Sequence, residues 1–310
     1  MNEINATDPV SLFRALSEEL RLRILCVLDV AEFSVAELTE ALGAPQSTIS
    51  RHLGRLREAG LVAPRRQGTL VFYSKGPSLK NGTGALIEQT VAALREAKKD
   101  RTAAHRILDR RRRASQAYFD AVARRYSEIE EPGGSWRALA GALALGYDGK
   151  VVADVGAGEG ELTLRLAESA ARVHAIDASR EMVKLLKEKT RAFDNVVVKK
   201  GDFESLPLYD GSCDVAIASQ TLHHCPRPRK ALGEAWRILK PGGRLILIDL
   251  AAHEQEWTRE KLADHWLGFD ADELAGWMKE AGFGAIKTFF SPTPHEGLTA
   301  ITMTGVRNTE

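Results

Sequence analysis

The sequence predicts an α/β chain of two folded parts joined by a helical stretch, and three observations carry that expectation. A strand, a glycine-rich loop, a helix and a second strand follow one another between Val151 and Asp177. Between Leu12 and Tyr73 the pattern is instead helix, turn, helix and hairpin. Separating the two, residues 85–131 contain neither glycine nor proline. Domains are accordingly expected over residues 1–80 and 135–310, with a helical dimerisation and linker segment over 81–134.

Composition agrees with two domains. A chain of 310 residues is about two average domains long, and 44% hydrophobic residues suffice for ordinary soluble cores. The net charge of +1 conceals local asymmetry and excludes no partner by itself. Cys26, Cys213 and Cys225 are too few and too scattered for a disulfide framework or a four-cysteine zinc site. No charged-then-apolar leader opens the sequence, and no uncharged apolar run approaches the ~20 residues needed to cross a bilayer. A reducing, cytoplasmic compartment and no membrane partner are expected.

In the second part, Val151 to Val155 reads as a buried strand, and Gly156, Gly158 and Gly160 follow where it turns into a helix. Gly156 permits a tight turn, Gly158 a close backbone approach to a ligand, and Gly160 close packing of helix on strand. Leu162, Leu164, Leu166 and Ala167 supply the helix with apolar surface, and Val173 to Ile176 forms the next strand. Asp177 ends that strand, where a carboxylate can accept both hydroxyls of a ribose. Three more strands follow with their loops: Val196 to Val198 leads into Asp202 and Phe203, Val215 to Ala218 into Ser219, Gln220, Thr221, Leu222, His223 and His224, and a Leu239 to Gly243 turn into Leu245 to Ile248. Ile286 to Phe290 and Leu298 to Met303 suit a closing antiparallel pair. Together these make a Rossmann-like domain, whose ligands bind at the carboxyl ends of the strands.

From roughly Ser135 to Val306 the chain resembles class I S-adenosylmethionine-dependent methyltransferases that act on small molecules. The first loop, Asp177, Asp202 and the Leu-Lys-Pro-Gly-Gly turn carry the likeness. It implies S-adenosylmethionine as cofactor, or S-adenosylhomocysteine as product or effector. Asp154 would support the loop, Gly156, Ala157 and Gly158 would pass the methionine part, and Asp177 with the adjacent Ala178 would bind the ribose. Asp202 and Phe203 would hold the adenine, with Ser219 and Gln220 beneath the sulfonium. His223 and His224 are candidate catalytic bases, alongside a reading in which they only shape the loop. By the same likeness Tyr118 and Phe119 belong to a helix that closes the cofactor pocket, and His253, Arg259, His265 and Trp266 to a roof over the methyl acceptor, or to a packed lid. Arsenite is a poor acceptor because Cys213 and Cys225 are too few to hold it. Methylation of DNA bases is disfavoured because Ser219, Gln220 and Thr221 stand where an Asn-Pro-Pro-Tyr or Pro-Cys motif would be needed.

In the first part, Leu12 to Leu28 reads as helical, with Ser17 an internal cap. Ser34 and Glu37 form a capping box, Leu38, Ala41 and Leu42 give an apolar face, and Gly43 ends the helix. Ile49, Leu53 and Leu56 then fall on one side of a second helix. Gln46, Ser47, Thr48, Ser50, Arg51 and Arg55 are left largely to solvent, rich in groups that bond phosphates and base edges. Gly60 stops this helix, and Leu61 to Pro64 and Thr69 to Tyr73 make a hairpin with Arg65, Arg66, Gln67 and Gly68 at its tip. The order defines a winged helix-turn-helix. From Arg51 to Tyr73 there are five arginines and one carboxylate, after fifty residues that are net acidic.

The stretch from Leu12 to Tyr73 resembles ArsR-type winged-helix repressors, through Leu-Phe-Arg-Ala-Leu-Ser, Arg-Leu-Arg-Ile-Leu and the run from Ser47 to Val62. That likeness implies operator DNA as partner, a homodimer, Gln46, Ser47, Thr48, Ser50, Arg51 and His52 facing the groove, and Arg65 and Arg66 on the wing. Ser34 and Ala36 replace the Cys-x-Cys with which many members sense metal, so no metal site is expected. Between the domains two or three helices are expected, since a single one would run about 70 Å. Leu86, Val91 and Leu94 suit a dimer interface that would set two recognition helices about 34 Å apart. The basic stretch from Arg95 to Arg113 is either a solvated face or a set of added phosphate contacts. The combined expectation is a dimeric regulator whose second domain senses methyl-cycle metabolites. The alternative is an active methyltransferase for a small-molecule acceptor, its expression governed by its own DNA-binding domain.

Overall fold

The computed structural model describes residues 9–79, 87, 89–91, 93–123, 146–293, 295 and 297–309. The chain divides into two units, Met1–Arg111 and Arg112–Glu310. Among the described residues no helix is long and apolar enough to cross a membrane.

In the first unit the helix expected over Leu12 to Leu28 is two helices, α1 (Pro9–Leu16) and α2 (Glu19–Leu28). The break has a local cause. Arg21 folds back to donate through Nε to the Ala15 carbonyl and through Nη2 to the Arg14 carbonyl, groups left open at the end of α1. Ser17 donates to the Arg14 carbonyl as well, so it closes α1 and does not cap α2. The capping box forms as expected at the start of α3 (Val35–Leu42), with the Ser34 N–H donating to Glu37 at 2.8 Å, and Gly43 ends the helix at φ +63°. In α4 (Gln46–Glu58) Ile49, His52, Leu53 and Leu56 are buried.

Strands β1 (Phe33–Ser34), β2 (Val62–Gln67) and β3 (Leu70–Lys75) form a sheet of order β1-β3-β2. The hairpin is longer than expected. Arg65, Arg66 and Gln67 pair within β2, and the turn contracts to Gly68 and Thr69.

One helix, α5 (Ala97–Val122), extends for 26 residues, and Ala104, Ile107 and Leu108 join the core of the first unit. Of the stripe proposed for dimerisation, Val91 is buried in that same core and Leu94 packs on it, whereas Leu86 lies outside the described residues. Residues 80–85 and 124–145 lie outside them too. Two arginine pairs fasten α5 to this unit. Arg23 grips the buried Asp100 through two bonds of 2.7 Å, and Arg111 binds Glu37 at 2.6 and 2.9 Å while its guanidinium lies over Phe33 and Phe72. Arg110 adds a bidentate pair with Glu40. Much of the basic stretch is thus spent on ion pairs.

The second unit holds a seven-stranded sheet of order β6-β5-β4-β7-β8-β10-β9. Its members are β4 (Val151–Val155), β5 (Arg172–Asp177), β6 (Val196–Lys200), β7 (Cys213–Ser219), β8 (Leu239–Leu250), β9 (Phe283–Pro292) and β10 (Thr299–Arg307). The first five are parallel, and β10 runs antiparallel to both β8 and β9. Val152, Val173, Val215, Ile217 and Ile246 build a core with Leu162 and Leu166 of α6 (Glu161–Ala167). The expected turn at Leu239 to Gly243 is instead the start of β8. Leu239 pairs with Cys213, the register slips, and Val215 then pairs with Arg244. An irregularity of the ladder, with Gly242 at φ +78°, absorbs the Lys-Pro-Gly-Gly sequence without ending the strand.

Because Asp100 is buried against a single cation, Asp100→Ala leaves Arg23 uncompensated. The first unit should lose about 3 kcal/mol in chemical denaturation, and a loss below about 1 kcal/mol would show that the pair is replaceable.

Candidate functional site

The strand order reverses between β4 and β7, and the loops leaving their carboxyl ends form the site. The Gly156 and Ala157 N–H groups both donate to the Ile176 carbonyl, at 2.8 and 3.0 Å, so the glycine loop is pinned to the end of β5. Gly156 has φ +72°, and a Cβ there would stand 2.1 Å from Thr221 Oγ1. A Cβ on Gly160 would meet Leu186 of α7 (Arg180–Lys189), so that glycine serves packing against the next helix rather than against the strand.

Asp177 organises the loop. Its Oδ2 accepts from Gly158 N at 2.9 Å and its Oδ1 from Ser179 N at 2.8 Å. A carboxylate has about four acceptor directions, more than these backbone donors fill, so capacity remains for a ligand hydroxyl. Burial pushes this carboxyl up to about 6, against the opposing Ser179 and Gly158 donors. Half-buried Ala178 is beside it. Asp154 is fully enclosed under the loop, accepts from Thr163 Oγ1 at 2.6 Å, and is pushed by burial up to about 7. Asp202 is already engaged, accepting from Glu204 N at 2.8 Å and pairing with Arg112 Nε at 2.6 Å, and Phe203 is buried. Ser219 ends β7, and Gln220 follows at φ +51°, held by its N–H on the Ile248 carbonyl. The buried Gln220 Nε2 has no hydrogen-bond partner. A carboxylate with acceptor capacity to spare, a glycine whose place no Cβ could take and an unanswered amide donor fit a nucleoside cofactor.

His223 and His224 lie in a 3₁₀ turn after β7. Buried His223 places Nδ1 2.7 Å from Asp249 Oδ1 and Nε2 3.4 Å from Asp264 Oδ1. Burial alone would lower its pKa, but these two carboxylates outweigh it and hold it well above its ordinary value. His224 is the opposite case. Burial, helped by charged His223, pushes it down to about 4, and its Nδ1 lies 3.3 Å from the Ala263 carbonyl. His253 is pushed by burial to about 4 as well, and its Nδ1 accepts from Gln255 N, leaving a buried Nε2 with no hydrogen-bond partner. Phe119 packs edge-on to His224 and Tyr118 packs on Phe119. Trp266 is fully buried with Nε1 donating to the Cys225 carbonyl at 2.7 Å, and Arg259 binds Glu256 and the His265 carbonyl. Trp266 and Arg259 are thus engaged by neighbouring groups, while His253 keeps a ring donor without a hydrogen-bond partner. Asp249, Asp264 and Arg112 were not foreseen as part of this site. Asp249 is the penultimate residue of β8, which was a usable signal, but only the folded loop brings Asp264 beside His223.

In the first unit Gln46, Ser47, Ser50 and Arg51 are exposed and Thr48 is half-buried. His52 departs from the expectation: it lies between Ile49 and Leu56 on the inner face and is buried, with Nδ1 3.6 Å from Glu18. Arg66 is exposed on β2, but Arg65 is not a free wing cation, because Glu32 accepts from its Nε and Nη2 at 3.0 and 2.9 Å.

Residues 18–63 match the family of bacterial regulatory proteins called arsR, and residues 153–247 match the methyltransferase domain. The chain thus joins an ArsR-family helix-turn-helix domain to a methyltransferase domain of Rossmann-like fold, a domain type that implies an S-adenosylmethionine-type cofactor. Among relatives, it is 41% identical over 102 residues to an uncharacterized 37.1 kDa protein in transposon TN4556 of Streptomyces fradiae, covering 32% of this chain and 30% of that one. It is 33% identical over 149 residues to demethylmenaquinone methyltransferase of Renibacterium salmoninarum, covering 46% and 62%. The chain spans less than two thirds of the length of either. Haemonchus contortus phospholethanolamine N-methyltransferase 2, solved with phosphomonomethylethanolamine and S-adenosylhomocysteine, shares the fold at a TM-score of 0.53 and 16% identity, over 63% of this chain and 60% of that one.

The raised carboxyl of Asp177 sets a pH dependence. Its folded pKa exceeds the ordinary 3.8, so its contribution to stability declines as pH rises towards about 6, while its charge as a ligand acceptor is lost as pH falls through about 6. Calorimetric titration with S-adenosylhomocysteine should show affinity weakening below that pH and level above it. Asp177→Asn should bind weakly at every pH, and an Asn variant with an unchanged profile would remove Asp177 from the ligand.

Proposed function

We propose that the protein is a DNA-binding transcription regulator, acting as a cytoplasmic homodimer, whose second domain binds S-adenosylmethionine or S-adenosylhomocysteine and thereby senses the methyl cycle. The observation that carries the reading is Asp177, fixed by Gly158 and Ser179 with acceptor capacity to spare beside a loop that admits no side chain at Gly156. In this reading Asp177 takes the ribose, Asp202 and Phe203 the adenine, and Gln220 offers its unpaired amide. Gln46, Ser47, Ser50, Arg51 and Arg66 form the DNA face, with Thr48 at its margin. A ligand acts on DNA binding only through different affinities for the DNA-competent and DNA-incompetent states. The arginines offer a route. Arg110 and Arg111 pair with Glu40 and Glu37 in the first unit, and Arg112 pairs with Asp202 in the second, so ligand at Asp202 competes for a neighbour of the residues that hold α3.

A second reading, retained methyl transfer to a small molecule, is favoured by His224 and His253, both neutral and half-buried, with an open donor on His253. The bound cofactor supplies an activated methyl group on a sulfonium. The chain's task is then to orient the acceptor and exclude water, and His224 is the unprotonated imidazole of the pair, since His223 already holds its own proton.

Fluorescence anisotropy with the protein's own upstream promoter DNA separates the readings. S-adenosylhomocysteine should change affinity several-fold, and Asp177→Ala should abolish the change while leaving DNA binding intact. Specific binding that ignores the ligand in the native protein would discard sensing and leave the enzyme reading. Arg51→Ala should cost about 1–3 kcal/mol of DNA affinity without altering cofactor affinity, and equal loss of both would mark Arg51 as a folding residue.

A further inference from the structure

We propose that His223, His224 and Asp264 form a binding site for one divalent transition-metal ion of the zinc class, in the second unit beside the carboxyl end of β7. Their ligand atoms lie within 4.8 Å of one another. His223 Nε2 is 3.4 Å from Asp264 Oδ1, and His224 Nε2 is 4.0 Å from the same oxygen. Tetrahedral ligands about 2.0–2.1 Å from a zinc ion stand roughly 3.3 Å apart, so His223 Nε2 and Asp264 Oδ1 already stand near that spacing and His224 has to move inward to complete the third vertex.

The surroundings are those a metal ligand set requires. Each histidine has its other ring nitrogen turned to an acceptor, His223 Nδ1 to Asp249 and His224 Nδ1 to the Ala263 carbonyl. In the metal-bound form that partnering keeps the proton on each Nδ1, and the ion takes the place of any proton on Nε2. Asp249 is itself anchored, accepting from Leu222 N and Leu250 N. Asp264 is buried, neither of its oxygens has a partner at full hydrogen-bond geometry, and the nearest cationic group is His223 Nε2 at 3.4 Å, so a metal ion could replace that proton as its counter-charge. Its position is fixed from both sides: its own N–H donates to the Thr258 carbonyl, and His265 N and Trp266 N both donate to the His223 carbonyl. The loop bearing the carboxylate is thereby clamped to the turn bearing the imidazoles.

Two imidazoles with one carboxylate suit zinc, cobalt(II) or iron(II), whereas magnesium and calcium prefer an all-oxygen set. His253 is not a fourth ligand, because its Nδ1 accepts from Gln255 N and its Nε2 therefore carries the proton. The fourth vertex remains for water or for an oxygen of a small molecule. The proposal is independent of cofactor binding. Its rival is a metal-free triad in which a charged His223 is held between Asp249 and Asp264.

The purified chain, stripped with chelator, would be titrated with cobalt(II) and followed by visible absorption. The proposal expects strong ligand-field bands that saturate at one equivalent per chain and vanish when zinc is added. Asp264→Asn and His224→Gln should each weaken cobalt binding at least about tenfold, and zinc should raise the melting temperature of the native chain more than that of either variant. Both variants should retain S-adenosylhomocysteine binding, which shows that the domain is folded. Absence of the bands in the native chain overturns the proposal in favour of the metal-free triad. Bands of equal strength in a folded variant overturn it by placing the metal elsewhere.

Discussion

The second domain depends on how two parallel strands end. Ile176 offers one carbonyl to Gly156 and Ala157, and the next residue offers a carboxylate to Gly158 and Ser179. The last two residues of β5 thereby hold the loop after β4 and the start of α7 together. The loop is fixed before any ligand arrives, so binding need not order it. The cost falls on Asp177, which is kept in surroundings that oppose its charge, and on Asp154 beneath it. Gln220 is held in the left-handed region at the facing strand end, a second local cost at the same crevice.

Much of this was legible in the residues. The glycine spacing located the loop, the apolar runs located the strands, and Asp177 ended the strand as expected, because strand periodicity and glycine chemistry are local properties. The capping box at Ser34 and Glu37 was readable for the same reason. The failures were of a different kind. His52 and Arg65 were assigned by resemblance to a family, whereas one lies on the inner helix face and the other is claimed by Glu32, far away in sequence. Leu239 to Gly243 contains the residues of a turn but sits in a strand, because pairing with Cys213 before the slip outweighs local preference. Asp264 carried no sequence signal, since its meaning comes from the loop that delivers it to His223.

The histidine cluster and the cofactor loop form opposite electrostatic designs at neighbouring strand ends. In the loop, carboxylates are buried with backbone and hydroxyl donors and drift towards neutrality. In the cluster, two carboxylates face imidazoles, and adjacent histidines are driven in contrary directions, His223 towards charge and His224 away from it. The difference lies in which partner each nitrogen meets, so two adjacent histidines acquire different protonation states.

The two arginine pairs that fasten α5 to the first unit also say how that helix can vary. Asp100 and Arg111 stand eleven positions apart, close to three turns, so Arg23 and Glu37 reach the same side of the helix. One added residue between them would turn one grip about 100° from the other. The span between Asp100 and Arg111 is therefore intolerant of insertions and deletions even where its exposed side chains are interchangeable, and lineages of this protein should change length elsewhere.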